Sequence, residues 1–441
     1  MPKARFTFNG TMPIAAMIAL FSAPSFSIDP APVNMGPVDF IPTLDLDIKS
    51  DDNIYSSNDN EISSEIFVIR PELLFLAQDN LNTYKASIAL ESGTYNDGGE
   101  GDDDYLDGKL HLDGHWEFND KNRLDALLHL NRLHDARGDA FTAGGTSNFP
   151  PSAIISEVDV YSSNDLGLKY ELGIGNTNTG ITAAYMLHDR KYDDNKALDG
   201  TKRDNSNRNY ESGLLDLSFF YQLLPKTKIF FEVSHEDIDY DNDINASVSG
   251  ILVESLDSTE TYYYLGAQWE LTANTTGTVK IGGYDKNFDD SAIEAADGNF
   301  GEAAWALAID WSPLEHAQFH FDSGSYVDEN QGGATARAIQ DFSAAWRQAW
   351  LEHFSTIAEI KVTKSEHKGS EIILGKLRED TDTQFKIGAI YNFRRWMDFE
   401  LDYITKSRSS TLNGSFTNSS GFTPNFEYDS NVIQISAQIS L

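Results

Sequence analysis

The sequence predicts an all-β fold, a transmembrane antiparallel β-barrel of about eighteen strands with short periplasmic turns and long extracellular loops. Three observations predict it. Apolar and charged residues alternate with period two, the connections between alternating segments are by turns short and long, and large aromatic residues gather beside the short ones.

The alternation is clearest where Leu110, Leu112, Gly114, Trp116 and Phe118 fall on one face and Lys109, His111, Asp113, His115 and Glu117 on the other. Successive side chains of a strand point to opposite faces, so such a segment meets lipid on one side and water on the other. The same phase returns in Leu166/Leu168/Tyr170/Leu172, Leu215/Leu217/Phe219/Tyr221, Tyr263/Leu265/Ala267/Trp269 and Ile433/Ile435/Ala437/Ile439. No 3.6-residue pattern competes over comparable lengths. After the N-terminus no segment approaches the roughly 18 consecutive apolar residues that a spanning helix needs.

Short links are expected near residues 78–82, 119–122, 175–180, 225–227, 272–277, 312–316, 351–353 and 394–396. Longer polar stretches lie between them, near 49–61, 93–104, 135–156, 188–208, 240–258, 285–299, 324–336, 365–381 and 406–427. Counted from Phe40 to Leu441, this beat gives about eighteen strands, an even number that returns the chain to its starting side. The signal weakens near residues 279–285 and 317–323, and Pro71 removes a ladder donor from the strand at 64–77. Trp116, Phe118, Tyr221, Trp269, Trp311, Trp350, Phe393 and Trp396 stand close to short turns, where they form an expected periplasmic aromatic girdle. Tyr185, Tyr263, Tyr403 and Tyr428 suit the opposite interface.

The N-terminus reads as an address. Lys3 and Arg5 precede an apolar run at 12–21, and Ser25 and Ser27 offer small residues for cleavage before Ile28. The expected organisation is a signal peptide at 1–27, a periplasmic segment at 28–39 and a barrel at 40–441, located in the bacterial outer membrane. The chain has no cysteine, which removes disulfides and thiolate chemistry. Its net charge of -36 argues against nucleic-acid partners.

The phase opposite the apolar one supplies the expected lumen lining: Arg70, Glu72, Lys109, His111, Arg123, Lys169, Lys228, Lys280, Arg347, Lys361 and Lys386. An aqueous interior is expected in a barrel this wide. Its mixed charges either grade a passing solute or pair to stiffen the wall. With no separate plug domain, occlusion would come from an inward loop, and 135–156 with Phe141 and Gly144–Gly145 is the candidate.

No catalytic residues, metal or cofactor are expected. Ser234 and His235 are adjacent on a strand and so face opposite ways. His111 and His115 share a face but stand roughly 13 Å apart along it, too far for one ion. Asp237, Asp239 and Asp241 imitate the start of a calcium loop, but Asn242 replaces the turn glycine and Val248 the bidentate glutamate. The acidic stretches at 98–104 and 236–243 are expected in solvated external loops.

Four pieces of sequence carry a family likeness: residues 42–55 with their Asp/Asn turn, the Pro71-containing strand at 68–74, Asp104 to Asp107 followed by paired strands and Arg137–Gly138, and residues 391–396 with Tyr403 and 428–431 before the last strand. In their order and spacing they resemble the "Putative beta-barrel porin 2" family over essentially the whole mature chain. The final strand also resembles the assembly signal of outer-membrane barrels, with Leu441 in the place of the usual Phe. The resemblance implies a role in exopolysaccharide or capsule export beside a periplasmic polysaccharide export protein. Outer-membrane lipid, lipopolysaccharide and the barrel assembly machinery are the other implied partners. A general diffusion porin for small hydrophilic solutes is the alternative.

Overall fold

The computed structural model describes residues 32–96, 103–139, 155–173, 178–241, 256–272, 274–289, 298–329, 334–370, 375–417 and 423–440. The expected signal peptide therefore lies outside the described residues. Eighteen antiparallel strands form a closed barrel. In chain order they are β1 (Val38–Asp51), β2 (Ser64–Asp79), β3 (Asn82–Tyr95), β4 (Tyr105–Asn119), β5 (Asn122–His134) and β6 (Val160–Leu172). There follow β7 (Thr179–Tyr192), β8 (Tyr210–Leu224), β9 (Thr227–Tyr240), β10 (Ser258–Thr272), β11 (Thr275–Phe288) and β12 (Phe300–Leu314). The last six are β13 (Ala317–Glu329), β14 (Ala336–Leu351), β15 (Phe354–Lys368), β16 (Arg378–Arg394), β17 (Met397–Ser410) and β18 (Tyr428–Ser440). Each strand pairs with its sequence neighbour, and β1 closes the ring on β18 from Thr43↔Ser440 to Asp51↔Val432. Closure leaves no open sheet edge for lipid to meet.

The barrel starts slightly earlier than Phe40. Val33–Met35 turns at Gly36 (φ +74°) and pairs with Val38 to Phe40, covering the edge of β1 that β18 does not reach. The two weak segments are full strands. At Gly282, on the lumen phase of β11, a Cβ would stand 1.7 Å from the Tyr263 carbonyl oxygen, and the next outer position is Gly283, so neither face carries a side chain and the alternation is erased there. Pro71 pairs with Leu44 of β1, whereas the ladder to β3 skips from Ile69↔Ser92 to Glu72↔Ala89. β9 runs on to Tyr240, so Glu236 to Tyr240 belong to the wall and not, as the sequence suggested, to a loop.

The two faces separate as the alternation requires. Leu215, Leu217, Phe219 and Tyr221 of β8 are exposed, and Ser212 and Asp216 between them in phase are buried. The same exposed apolar phase runs through the other strands. A band of this extent is what lipid covers on an outer-membrane barrel. Seven of the eight expected girdle residues lie on this outer phase within a few residues of the short connections, and Trp396 stands exposed in the β16–β17 turn itself.

One hairpin leaves the wall. The β12–β13 pairing ends at Ala306↔Gly324, while β13–β14 pairing continues to Glu329↔Ala336. Beyond Gly324 the Val327 N–H donates to the Tyr262 hydroxyl of β10 at 2.9 Å. Behind the hairpin, Lys368 of β15 bonds Glu302 of β12 at 2.8 Å. The tip of β13–β14 therefore bends into the lumen.

Candidate functional site: a lumen narrowed by two inward elements

All eleven expected lumen residues lie on the phase opposite the exposed apolar band. Several are spent on one another's neighbours. Arg70 pairs with Asp47, Arg123 with Glu117 at 3.5 Å, Lys169 with Glu171 at 2.8 Å and Lys280 with Glu232 at 2.6 Å. Lys386 bonds Glu400 at 3.0 Å and Asp402 at 2.9 Å. Lys228 lies 5.5 Å over the Phe220 ring. Among the described residues, Glu72, Lys109, Arg347 and Lys361 make no ion pair.

The histidines separate by register. His111 stacks on His129 at 4.0 Å and bonds Asn131 at 2.8 Å, whereas His115 bonds Asp125 at 2.6 Å. His129–Asp113 at 2.9 Å, His134–Asp107 at 3.0 Å and His188–Asp165 at 2.7 Å continue a line of cross-strand pairs over β4–β7. Ser234 is buried on the inner face, and the exposed His235 bonds Thr261 at 2.8 Å on the outer one.

The wall at β9–β11 carries a group that the sequence reading did not single out. The Lys286 ammonium, fully buried, sits between Glu260 at 2.8 Å and Glu329 at 2.5 Å. Glu329 belongs to the inward hairpin tip, and the Tyr240 hydroxyl donates to it at 2.5 Å. Tyr262, Tyr264, Tyr284 and Phe288 pack around this lock. The available signal was tyrosine on the water-facing phase of β10 and β11. Buried apolar surface inside an aqueous lumen requires something to cover it.

The second inward element follows β5. Arg137 and Asp103 form an ion pair with both side chains fully buried, and Arg137 also donates to the Ile155 carbonyl at 3.1 Å. Gly138 has φ +89°, and a Cβ there would stand 2.7 Å from the Ile54 carbonyl oxygen. The segment is thus pressed against the loop after β1. Just outside it, Arg208 bridges Asp159 at 2.7 Å and Asp135 while lying 3.6 Å over the Tyr192 ring. The described part of the loop expected to fold inward does so, and Asp139 lines a cavity whose far side is β14–β18. Phe141 and Gly144–Gly145 lie outside the described residues.

The model of the "Putative beta-barrel porin 2" family matches residues 27–439. The chain belongs to this family. No curated protein matches it in sequence. Among solved structures it is similar to the copper transporter OprC, with 10% identity over 93% of this chain and 81% of that one and a TM-score of 0.48. OccAB2 of Acinetobacter baumannii gives 11% identity over 92% and 98% with a TM-score of 0.45. OccK2 of Pseudomonas aeruginosa, solved with glucuronate, gives 8% over 92% and 98% with a TM-score of 0.43. The chain is an outer-membrane, porin-like β-barrel channel.

In this family member the two inward elements line one cavity. Arg337 of β14 pairs with Asp328 of the hairpin tip, and Arg337 also lines the cavity with Asp139. The cavity holds about 320 Å³, room for a small solute beside ordered water.

Proposed function

We propose that the chain is a selective channel for small hydrophilic solutes, working without covalent chemistry. The observation that carries this reading is the cavity inside the barrel that Arg337 of the β13–β14 hairpin and Asp139 of the other inward segment line together. An eighteen-stranded barrel left open passes solutes by size alone. Here the route is bounded by fixed polar side chains, which discriminate by charge and hydrogen bonding. The eleven polar lining residues grade the solute, the eight aromatics beside the short connections anchor the periplasmic interface, and residues 1–27 direct export and are cleaved. Single-channel recording in planar bilayers tests the reading. Small discrete steps are expected, growing severalfold when Glu329→Ala releases the tip. Absence of conductance in both proteins, with folded barrels in the membrane, would refute it.

Exopolysaccharide export is the second reading. The family likeness alone favours it, since Tyr262, Tyr264 and Tyr284 are buried and offer no ring face to a sugar. The partners it calls for are a periplasmic export protein and the polymer itself. Deleting the gene and assaying polysaccharide at the surface and in the periplasm tests it. Unchanged polysaccharide would leave the small-solute channel.

A further inference from the structure

Charge in the cavity is distributed unevenly. Arg378 is held by Asp380 at 2.7 Å, Arg408 by Asp382 at 2.8 Å and Arg337 by Asp328. The row beneath them is different. Register places Lys361 of β15 opposite Gln384 of β16, and Gln384 opposite Lys406 of β17. Ser343 and Ser430 extend the same row on either side. The row contains no carboxylate. Among the described residues neither the Lys361 nor the Lys406 side chain makes a hydrogen bond or an ion pair, and both line the cavity.

Two strand spacings separate the lysine backbones by roughly 10 Å. Side chains of this length converge readily on an anion lying over the Gln384 amide, which can donate to it. Facing the row from the loop side is Asp139, exposed to the cavity, with Arg408, Lys406 and Arg337 as the opposite charges acting on it and Asp135 as the like one. Asp341, next to the row on β14, also feels Lys361.

We propose that Lys361, Gln384 and Lys406 form a binding site for small organic carboxylates, with Asp139 as its tethered internal competitor. The proposal rests on the channel reading above and names the solute class. In a chain of net charge -36 a cationic row is a local device. It draws anions through a surface that otherwise repels them. Asp139 sets a like charge against an anion on this row, so displacing it favours binding.

Titration calorimetry of succinate into the purified full-length barrel in detergent tests the site, with neutral erythritol as the control. Succinate binds and erythritol does not. Lys361→Gln with Lys406→Gln weakens succinate binding by about tenfold or more, since each charge lost within a few ångströms in water is worth roughly fivefold. Asp139→Asn strengthens it severalfold, a gain that misfolding cannot produce. No succinate binding, or binding indifferent to the lysine substitutions, overturns the site. The bilayer recordings are read separately: a channel that conducts but does not bind succinate loses this site and keeps its channel function.

Discussion

The walls at β9–β11 and β15–β17 both place lysines on the inner face, and the two sets have opposite fates. On β11, Lys286 is held by two carboxylates, roofed by tyrosines and removed from water. On β15 and β17, Lys361 and Lys406 stand in a polar cavity with only Gln384 between them. A buried ammonium tolerates the loss of water only when hydrogen-bonded carboxylates surround it, so Lys286 is part of the wall. A lysine left in water keeps its charge available to a solute. The difference comes from the β13–β14 tip, which brings Glu329 and a cover to one wall and leaves the other open.

The largest expected effect comes from breaking the closed wall. Lys286→Met strands Glu260 and Glu329 without a cation and costs about 3–5 kcal/mol. Urea unfolding of the barrel in lipid vesicles measures it, and an unshifted midpoint would mean that the hairpin tip is not anchored there. Next comes the contrast between the two faces of a single strand. Leu217→Arg on the outer face of β8 costs about 2–4 kcal/mol if it lies at the bilayer midplane, and Ser218→Arg on the inner face costs far less. Equal losses would contradict the assignment of faces. The Arg137–Asp103 pair pins the other inward segment, and Arg137→Gln leaves a buried carboxylate short of a donor at about 1–3 kcal/mol. Larger single-channel steps should accompany that loss, and unchanged steps would remove the segment from the conduction path. The smallest effect on stability belongs to the open wall. Lys361→Gln with Lys406→Gln should shift unfolding by no more than about 0.5 kcal/mol, while reversal potentials in a KCl gradient move toward cations. A large loss of stability there would make these lysines structural like Lys286.

Much of this was legible in the sequence, and the limits follow from particular residues. Period two sorted every lining residue onto its face, because adjacent side chains of a strand cannot share one. It gave no warning at Gly282, where a close backbone approach forbids a side chain and so deletes the signal. It placed Glu236 and Asp239 in a loop because acidic residues suit loops, although pairing with β8 holds both in the wall and β10 pairs with Glu236 as well. It set His111 and His115 too far apart along one strand to act together but could not name the partner across it, which register makes His129 for His111.

The sequence by itself determined the closed barrel, its strand number, the alternation of short and long connections and the face of each side chain. All of these follow from local periodicity and turn chemistry. Only the tertiary structure decided which charges pair. Lys286, Glu260 and Glu329 lie on three strands, and they meet because one hairpin bends away from β12 after Gly324. A period states which way a side chain points. It does not state what stands opposite across the lumen, and that distance decides whether a lysine locks a wall or waits for an anion.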